Sequence, residues 1–195
     1  LAAIMPDAEN ATQFWQNIID AKVSIKQIPE GRWPGPSNNF WRQGGPGAVE
    51  EGFTYSKIGA LVDGYEFDWR RWRQPPGTLP QIDICQQWAV AVSADAIEDA
   101  GFDGESKDID RVRTGVVFAN ALGGENRNMS NIRVWSNHTK QLASQHGLPD
   151  SNMDSFIEDV VRGTPRIDED TMPGELANVV SGRVANLLDL QGPNH

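Results

Sequence analysis

Cys85 is the only thiol of the chain and therefore the first candidate for nucleophilic chemistry. A reactive thiol needs a neighbouring base or a helix N-terminus, together with partial exposure to solvent. Cys85 instead lies on the apolar stripe of a helix that the sequence predicts over Leu79–Ala100. Free cysteine is among the most buried residue types, so we expect Cys85 to be a core residue. A single cysteine also excludes an internal disulfide framework.

Patterns for metal and phosphate binding are weak in this sequence. His138 and His146 lie eight residues apart, a spacing that matches no known ligand pattern, and no Cys or Glu cluster completes a metal site. The pair Gly123-Gly124 follows an apolar run, but the glycine patterns G-x-G-x-x-G and G-K-[ST] are both absent. We therefore expect a plain strand-to-helix turn at this pair.

Two charged clusters each allow a binding and a structural interpretation. Trp69–Arg73 is the basic cluster, in which arginines and tryptophans could face a stacked or phosphate-bearing ligand. The favoured interpretation is a turn whose arginines cover aromatic faces. The acidic run Asp168–Asp170 precedes a predicted helix, where carboxylates favour the positive end of the helix dipole. On chemistry alone we name no catalytic, cofactor-binding or metal-binding residue, and we expect no cofactor.

Composition limits the class of protein and its partners. The chain has 195 residues, of which 38% are hydrophobic, which is enough for one globular domain or part of one. Its formal net charge of -10 repels nucleic acid and anionic membranes. No apolar run approaches the length needed to span a bilayer, and the lone cysteine fits a reducing cytoplasm. We expect a cytoplasmic protein with no nucleic-acid and no membrane partner.

The elements that must position these residues alternate between strands and helices. In the first third of the chain, Asp7–Ala21 predicts a helix capped by Asn10, and Val23–Ile28 alternates like a half-buried strand. A long Gly- and Pro-rich loop, Gly31–Gly52, follows. Its aromatic residues indicate that it packs on its own domain, with a binding platform as the alternative.

The rest of the chain is predicted to be mainly helical, with one buried strand. The helix over Leu79–Ala100 ends at Gly101, and the β-branched run Arg113–Phe118 predicts the strand. Further helices are predicted from the Gly123-Gly124 turn through Ala143, over Ser151–Arg162, and from Thr171 and Pro173 to about Leu188. This order is typical of a layered α/β domain.

Several segments, in order along the chain, resemble the N-terminal half of a β-ketoacyl synthase of the modular polyketide and polyunsaturated fatty acid synthase type. The matches that open the chain are Met5-Pro6-Asp7, Phe14-Trp15, Ile28-Pro29-Glu30-Gly31-Arg32-Trp33 and Phe67-Asp68. The central block is Ile82-Asp83 through Gln86-Gln87 followed by Ala96 to Gly101, where Ile84-Cys85 stands at the family's usual proline. The closing segment is the most specific, and it runs over Asn178 to Asn186 and Asp189 to Pro193. Arg73 to Pro76 and Asn120 to Glu125 resemble the polyunsaturated fatty acid synthase branch.

The resemblance implies an α/β thiolase-like fold with αβα layers and a mixed sheet, of which this chain is the N-terminal half, and a homodimeric parent. It also implies a β-ketoacyl-[acyl carrier protein] synthase. In that family a cysteine takes an acyl chain from a carrier protein, and a malonyl unit then attacks it with loss of carbon dioxide. The cysteine acts as a thiolate at a helix N-terminus, and two histidines and an oxyanion hole stabilise the charged states.

The resemblance places residues 1–195 inside one ketosynthase domain, truncated at both ends. The family's first strand precedes Leu1, and its cysteine follows shortly after the Gly192-Pro193 pair, whereas the sequence ends at His195. We therefore expect the segment alone to be inactive. The alternatives are a chain-length factor, which shapes a pocket without the cysteine, and a docking module for a carrier protein at Gly31–Gly52 and Trp69–Arg73.

Overall fold

The structure is a computed structural model that describes residues 1–33, 35–48, 50–102, 108–121, 124–147 and 149–195. These residues form two compact units. The smaller unit is Ala2–Glu66, and the larger unit is Phe67–His195 together with Leu1. No helix within the described ranges is both long and apolar enough to cross a membrane.

The smaller unit begins with helix α1, Ala11–Ile19. The predicted cap is confirmed, because the Asn10 side chain accepts a hydrogen bond of 2.9 Å from the Gln13 backbone N–H. Two short strands follow, β1 over Lys26–Gln27 and β2 over Ile58–Gly59, and they pair antiparallel. The strand predicted over Val23–Ile28 is thus confirmed only near its end. Its burial was predicted wrongly, because Val23 and Ile25 are exposed.

The long loop between β1 and β2 packs on its own unit, which confirms the structural interpretation of its aromatic residues. Trp33 stacks on Phe40 with 6.3 Å between ring centroids, and Trp41 donates an indole hydrogen bond of 3.1 Å to the Tyr55 carbonyl. The Ser37 hydroxyl and backbone N–H donate to the Glu30 carboxylate at 2.6 and 3.1 Å. These two bonds hold the pKa of Glu30 below its usual value. Pro34 and Val49, within the predicted loop, lie outside the described residues.

The helices of the larger unit match the predicted positions with two exceptions. The helix predicted over Leu79–Ala100 begins only at Ile84, after a separate 3-10 turn over Leu79–Gln81, and the helix predicted from Thr171 is divided. The described residues of this unit contain five helices. They are α2 over Ile84–Asp99, α3 over Glu125–Gln145, α4 over Asp150–Gly163, α5 over Thr171–Glu175 and α6 over Val180–Leu187. Gly124 precedes α3 as its N-cap, whereas Gly123 of the predicted turn lies outside the described residues.

The apolar core of the larger unit lies between α2 and α6. Val90, Val180 and Val184 are the most deeply buried members of this core, and they pack with Ala89, Ala185, Val116 and Leu190. Val116 lies in the extended segment Arg113–Phe118, which was predicted as a strand. Within the described residues this segment forms a parallel bridge between Val116 and Asn194. The Val116 N–H donates to the Pro193 carbonyl at 2.8 Å, and the next side chain, Val117, is 80% exposed.

The helix predicted from Thr171 to about Leu188 was wrong as a single element. It divides into α5, a 3-10 turn over Ala177–Val179, and α6, with an extended backbone at Leu176 (φ -78°, ψ 125°). The break has a cause on α2, since the buried Gln86 amide donates to the carbonyls of Pro173 and Leu176 at 3.0 and 3.2 Å. A side chain remote in sequence therefore interrupts the local helical preference.

The close approach of α5 to the residues before α2 gives a stability prediction. A Cβ atom on Gly174 would lie 1.7 Å from the Gln81 carbonyl oxygen. The Gly174 carbonyl also accepts a hydrogen bond of 2.9 Å from the backbone N–H of Asp83. We expect Gly174→Ala to lower the free energy of unfolding by at least about 2 kcal/mol, because both backbones are fixed. Gly77→Ala is the matched control, since a Cβ atom there meets nothing within 4 Å. Equal urea midpoints for the two variants would contradict the packing described here.

Candidate functional site

The buried carboxylate of Asp83, at the N-terminus of α2, forms hydrogen bonds with the first turns of α2 and α3. Asp83 is 2% exposed, and its side chain accepts 3.0 Å and 3.1 Å hydrogen bonds from the backbone N–H groups of Cys85 and Asn126. It therefore caps α2 and also bonds to the first turn of α3, where helix dipoles favour negative charge. Gly124 permits this approach, because a Cβ atom there would lie 1.9 Å from the Asp83 carboxylate.

One turn further along α2, the amide of Gln86 connects α2 to α5 and α6. Gln86 is 1% exposed, and its oxygen accepts a 2.5 Å hydrogen bond from the Nε of Arg183 on α6. Its nitrogen makes the two bonds described above, to the carbonyls of Pro173 in α5 and of Leu176 just after α5. Arg183 also donates to the Pro173 carbonyl at 3.3 Å. Desolvation lowers the pKa of Arg183, and the nearby Asp170 carboxylate opposes this shift.

Gln81 completes this set of polar contacts just before α2. Its amide nitrogen donates to the Arg166 carbonyl at 2.8 Å, and its oxygen accepts from the Thr171 hydroxyl at 3.1 Å. Asp168, from the predicted capping run, accepts a 3.0 Å hydrogen bond from the Asp170 backbone N–H. We call Gln81, Asp83, Gln86 and Arg183 the polar clamp. The clamp joins α2 to α3, α5 and α6, and each member has a structural partner.

Cys85 packs against the core cluster, which confirms the interpretation from sequence in part. It is only half-buried, however, and it lies in the first turn of α2 instead of the middle of a helix. Burial raises the pKa of its thiol to about 12, and the hydrogen bond and charge of the adjacent Asp83 add to this rise. The position at a helix N-terminus does not offset these effects. A thiol that holds its proton this firmly is a poor nucleophile at neutral pH.

The histidines are not arranged for acid-base or metal chemistry. His138 lies on α3 and makes an edge contact with Trp135, at 5.5 Å between ring centroids, while His146 caps the end of the same helix. Within the described ranges, no histidine hydrogen-bonds to a cysteine, serine or threonine side chain, and no group of three or more His, Cys, Asp or Glu could hold a metal ion.

Two of the three arginines in Trp69–Arg73, Arg70 and Arg71, cover aromatic faces, as the structural interpretation predicts. The Arg70 guanidinium lies 4.2 Å from the Trp69 ring centroid, and that of Arg71 lies 4.7 Å from the Trp72 centroid. Arg71 also forms ion pairs with Asp95 and Glu98 on α2. Its charge is thus balanced within the unit, which weakens the case for a phosphate-binding surface.

A cavity of about 320 Å³ lies where two segments distant in sequence meet. It is lined by Phe118, Ala119, Asn120, Ala177, Asn178, Ser181 and His195. The Asn120 amide donates a 3.2 Å hydrogen bond to the Ala177 carbonyl and fixes the two walls together. These residues were not predicted as a site from the sequence. The signal was nevertheless present, because Asn120 and Asn178 each begin a segment that carries the family resemblance.

The family model for the β-ketoacyl synthase N-terminal domain matches residues 1–195, and the chain therefore belongs to the β-ketoacyl synthase family.

Known relatives and solved structures agree with this assignment. One polyunsaturated fatty acid synthase polypeptide of Thraustochytrium sp. is 24% identical over 100% of this chain and 7% of its own length. The polyketide synthase ThaG of Burkholderia thailandensis is 33% identical over 64% of this chain and 2% of its own length. Among solved structures, an oxazolomycin ketosynthase domain of Streptomyces albus JA3453 aligns over 98% of this chain and 27% of its own, with a TM-score of 0.67 and 22% identity.

These comparisons confirm the expected fold class. The structural neighbours are ketosynthase domains with the thiolase-like fold, and the present chain is a partial α/β portion of that fold. It spans less than a tenth of the curated relatives named above. The segments that carry the resemblance include Asp83, Gln86 and Arg183 of the polar clamp. They also include Asn120, Asn178 and Ser181 of the cavity.

The state of Cys85 gives a direct chemical prediction. With a pKa of about 12, the thiol should react with iodoacetamide at pH 8 about a thousandfold more slowly than an unperturbed cysteine, and the rate should still be rising at pH 10. The same chain in concentrated urea is the control, because unfolding removes the burial and the contact with Asp83. A rate that levels off near pH 8 in the folded chain would contradict the assigned environment.

Proposed function

We propose that the protein containing this chain is a β-ketoacyl-[acyl carrier protein] synthase of fatty acid or polyketide biosynthesis. The observation that carries this proposal is the match of the N-terminal domain family model to all 195 residues. In the reaction, an acyl group passes from its carrier thioester to a cysteine thiolate and frees the carrier thiol. A malonyl thioester then loses carbon dioxide, and the resulting enolate attacks the acyl carbonyl and expels the thiolate.

We infer that this segment forms scaffold and pocket wall, and that the nucleophile and its histidines come from elsewhere in the parent protein. The cavity lined by Asn120, Asn178 and Ser181 supports a role in shaping the acyl site. The raised pKa of Cys85 supports a nucleophile from elsewhere in the parent, because the Cys85 thiol is protonated at neutral pH. By itself the 195-residue chain is expected to have no condensing activity.

The partners follow from the proposed reaction. We propose that the parent works with an acyl carrier protein bearing phosphopantetheine-linked acyl and malonyl groups, and that it pairs as a homodimer in the cytoplasm. Ketosynthase domains of polyketide and polyunsaturated fatty acid synthases use such carriers, which supports the first of these proposals. No cofactor is needed for the condensation, because the thiolate and the enolate supply all the electrons that move.

A chain-length factor remains the alternative function for the parent. Such a protein keeps the fold and the pocket but replaces the cysteine, and the cavity described above suits either role. The carrier-docking alternative is less well supported at the basic cluster, because Asp95 and Glu98 already pair with Arg71.

A decarboxylation assay tests the proposal. The parent protein, given acyl and malonyl carrier proteins, should release carbon dioxide and form a 3-oxoacyl carrier, while the isolated 195-residue chain at equal concentration should release none. A boiled parent sample is the control for spontaneous decarboxylation. A parent that binds both carriers but forms no 3-oxoacyl product would favour the chain-length factor. Turnover by the isolated chain would contradict the assignment of its residues to scaffold.

A further inference from the structure

Ser181 is the buried polar residue of the candidate cavity. It lies in the first turn of α6, is 3% exposed, and lines the cavity together with Phe118 and Ala177. Within the described ranges, the Ser181 hydroxyl makes no hydrogen bond. A buried hydroxyl without a partner is unfavourable, because it has given up its hydrogen bonds to water. The wall of the cavity therefore holds a hydrogen-bonding group that the fold itself does not use.

The local backbone explains why the Ser181 hydroxyl has no partner. A serine in a helix can donate a hydrogen bond to the carbonyl four residues earlier, which for Ser181 is the carbonyl of Ala177. This carbonyl already accepts hydrogen bonds from the Val180 N–H and from the Asn120 amide. A carbonyl oxygen has two lone pairs, and here both are used. The contact that joins the two walls of the cavity thus leaves the Ser181 hydroxyl available to a ligand.

The remainder of the wall determines which ligand can use this hydroxyl. Phe118, Ala119 and Ala177 contribute apolar surface, and the Asn178 amide adds a neutral polar group. None of the lining residues, which all lie within the described ranges, carries a formal charge, with His195 counted as neutral. A charged substituent would therefore lack a counter-ion in the cavity, whereas an aliphatic chain would contact apolar atoms. The volume of about 320 Å³ falls in the range of ligand pockets, which is about 300 to 1,000 Å³.

We propose that the cavity binds an acyl chain that carries a hydroxyl group, and that the Ser181 hydroxyl recognises this group through a hydrogen bond. Asn178 precedes Ser181 by three residues, a spacing that puts two side chains on one side of a helical turn. A substituent hydroxyl can accept from Ser181 and donate to the Asn178 amide oxygen, whereas an oxo group can only accept. An unsubstituted chain contacts the same apolar walls but leaves Ser181 without a partner, so it binds less tightly.

Equilibrium binding of acyl amides to the parent protein tests this assignment, which rests on the proposed function because it takes the cavity as the acyl site. An amide, unlike a thioester, does not acylate the protein, so the measurement does not depend on turnover. At least one of 3-, 5- and 7-hydroxyoctanamide should bind about three- to tenfold more tightly than octanamide, as expected for one neutral hydrogen bond. Ser181→Ala should abolish this difference and keep the dissociation constant of octanamide within about twofold.

Ser130→Ala is the matched control variant. Ser130 is also a buried serine whose hydroxyl makes no hydrogen bond within the described part of the chain, but it does not line the cavity. This variant should keep the preference for the hydroxylated amide. Both substitutions retain the Cβ atom and introduce a residue that favours a helix, so urea unfolding should show that both variants fold as the unmodified parent does.

Pantetheine is a further probe, because its own hydroxyl and amide groups offer the same bonds to Ser181. Weaker binding of pantetheine in Ser181→Ala, with no preference among the acyl amides, would assign Ser181 to the carrier arm and overturn the proposal. Equal binding of octanamide and of its hydroxylated analogues to the unmodified parent would overturn it as well. A parent that shows the preference but forms no 3-oxoacyl product would support this inference and contradict the condensing activity alone.

Discussion

Buried polar groups at the N-terminus of α2 hold the larger unit together. Gln86 and Asp83 are almost completely removed from water, and each makes hydrogen bonds to backbone groups of other elements. A buried polar group without partners costs about 1 to 3 kcal/mol, so these side chains favour the one arrangement of α3, α5 and α6 that satisfies them. The apolar core between α2 and α6 supplies burial, and the polar clamp determines which backbone segments approach it.

The clamp also brings into contact two segments of the family resemblance that lie far from each other in the chain. Gln86 belongs to the central matching block and Arg183 to the closing one, and the two side chains bond directly. Once α6 is fixed on α2, Asn178 and Ser181 face Phe118 and Asn120 across the candidate cavity. The matched residues therefore define a scaffold and a pocket wall, which agrees with the lack of a nucleophile–histidine pair within the described ranges.

Local sequence predicted most of the helices of this structure because their signals are local. The Asn10 cap, the Gly101 stop after α2 and the amphipathic pattern of α4 each depend on neighbouring residues only. The break at Leu176 was not predictable in this way, because its cause is the Gln86 amide, 90 residues away in the chain. Val23 and Ile25 alternate with polar residues like one face of a half-buried strand and are nevertheless exposed, since alternation alone does not specify what covers a face.

The site was predicted less completely than the fold. The packing of Cys85 against the core and the covering of aromatic faces by Arg70 and Arg71 were predicted from residue types, and both agree with the structure. The cavity at Asn120 and Asn178 requires the approach of two segments more than fifty residues apart, which no local pattern encodes.

A double-mutant cycle between Gln86 and Arg183 tests the central claim most directly. The variants Gln86→Leu and Arg183→Met keep most of the side-chain volume and remove the charged hydrogen bond, and urea unfolding gives the free energy of each single and double variant. The clamp predicts a coupling free energy of about 1.5 to 3 kcal/mol, because the bond is charge-assisted and partly buried. Single effects that add to within about 0.5 kcal/mol would show that the two residues act independently and would contradict the account.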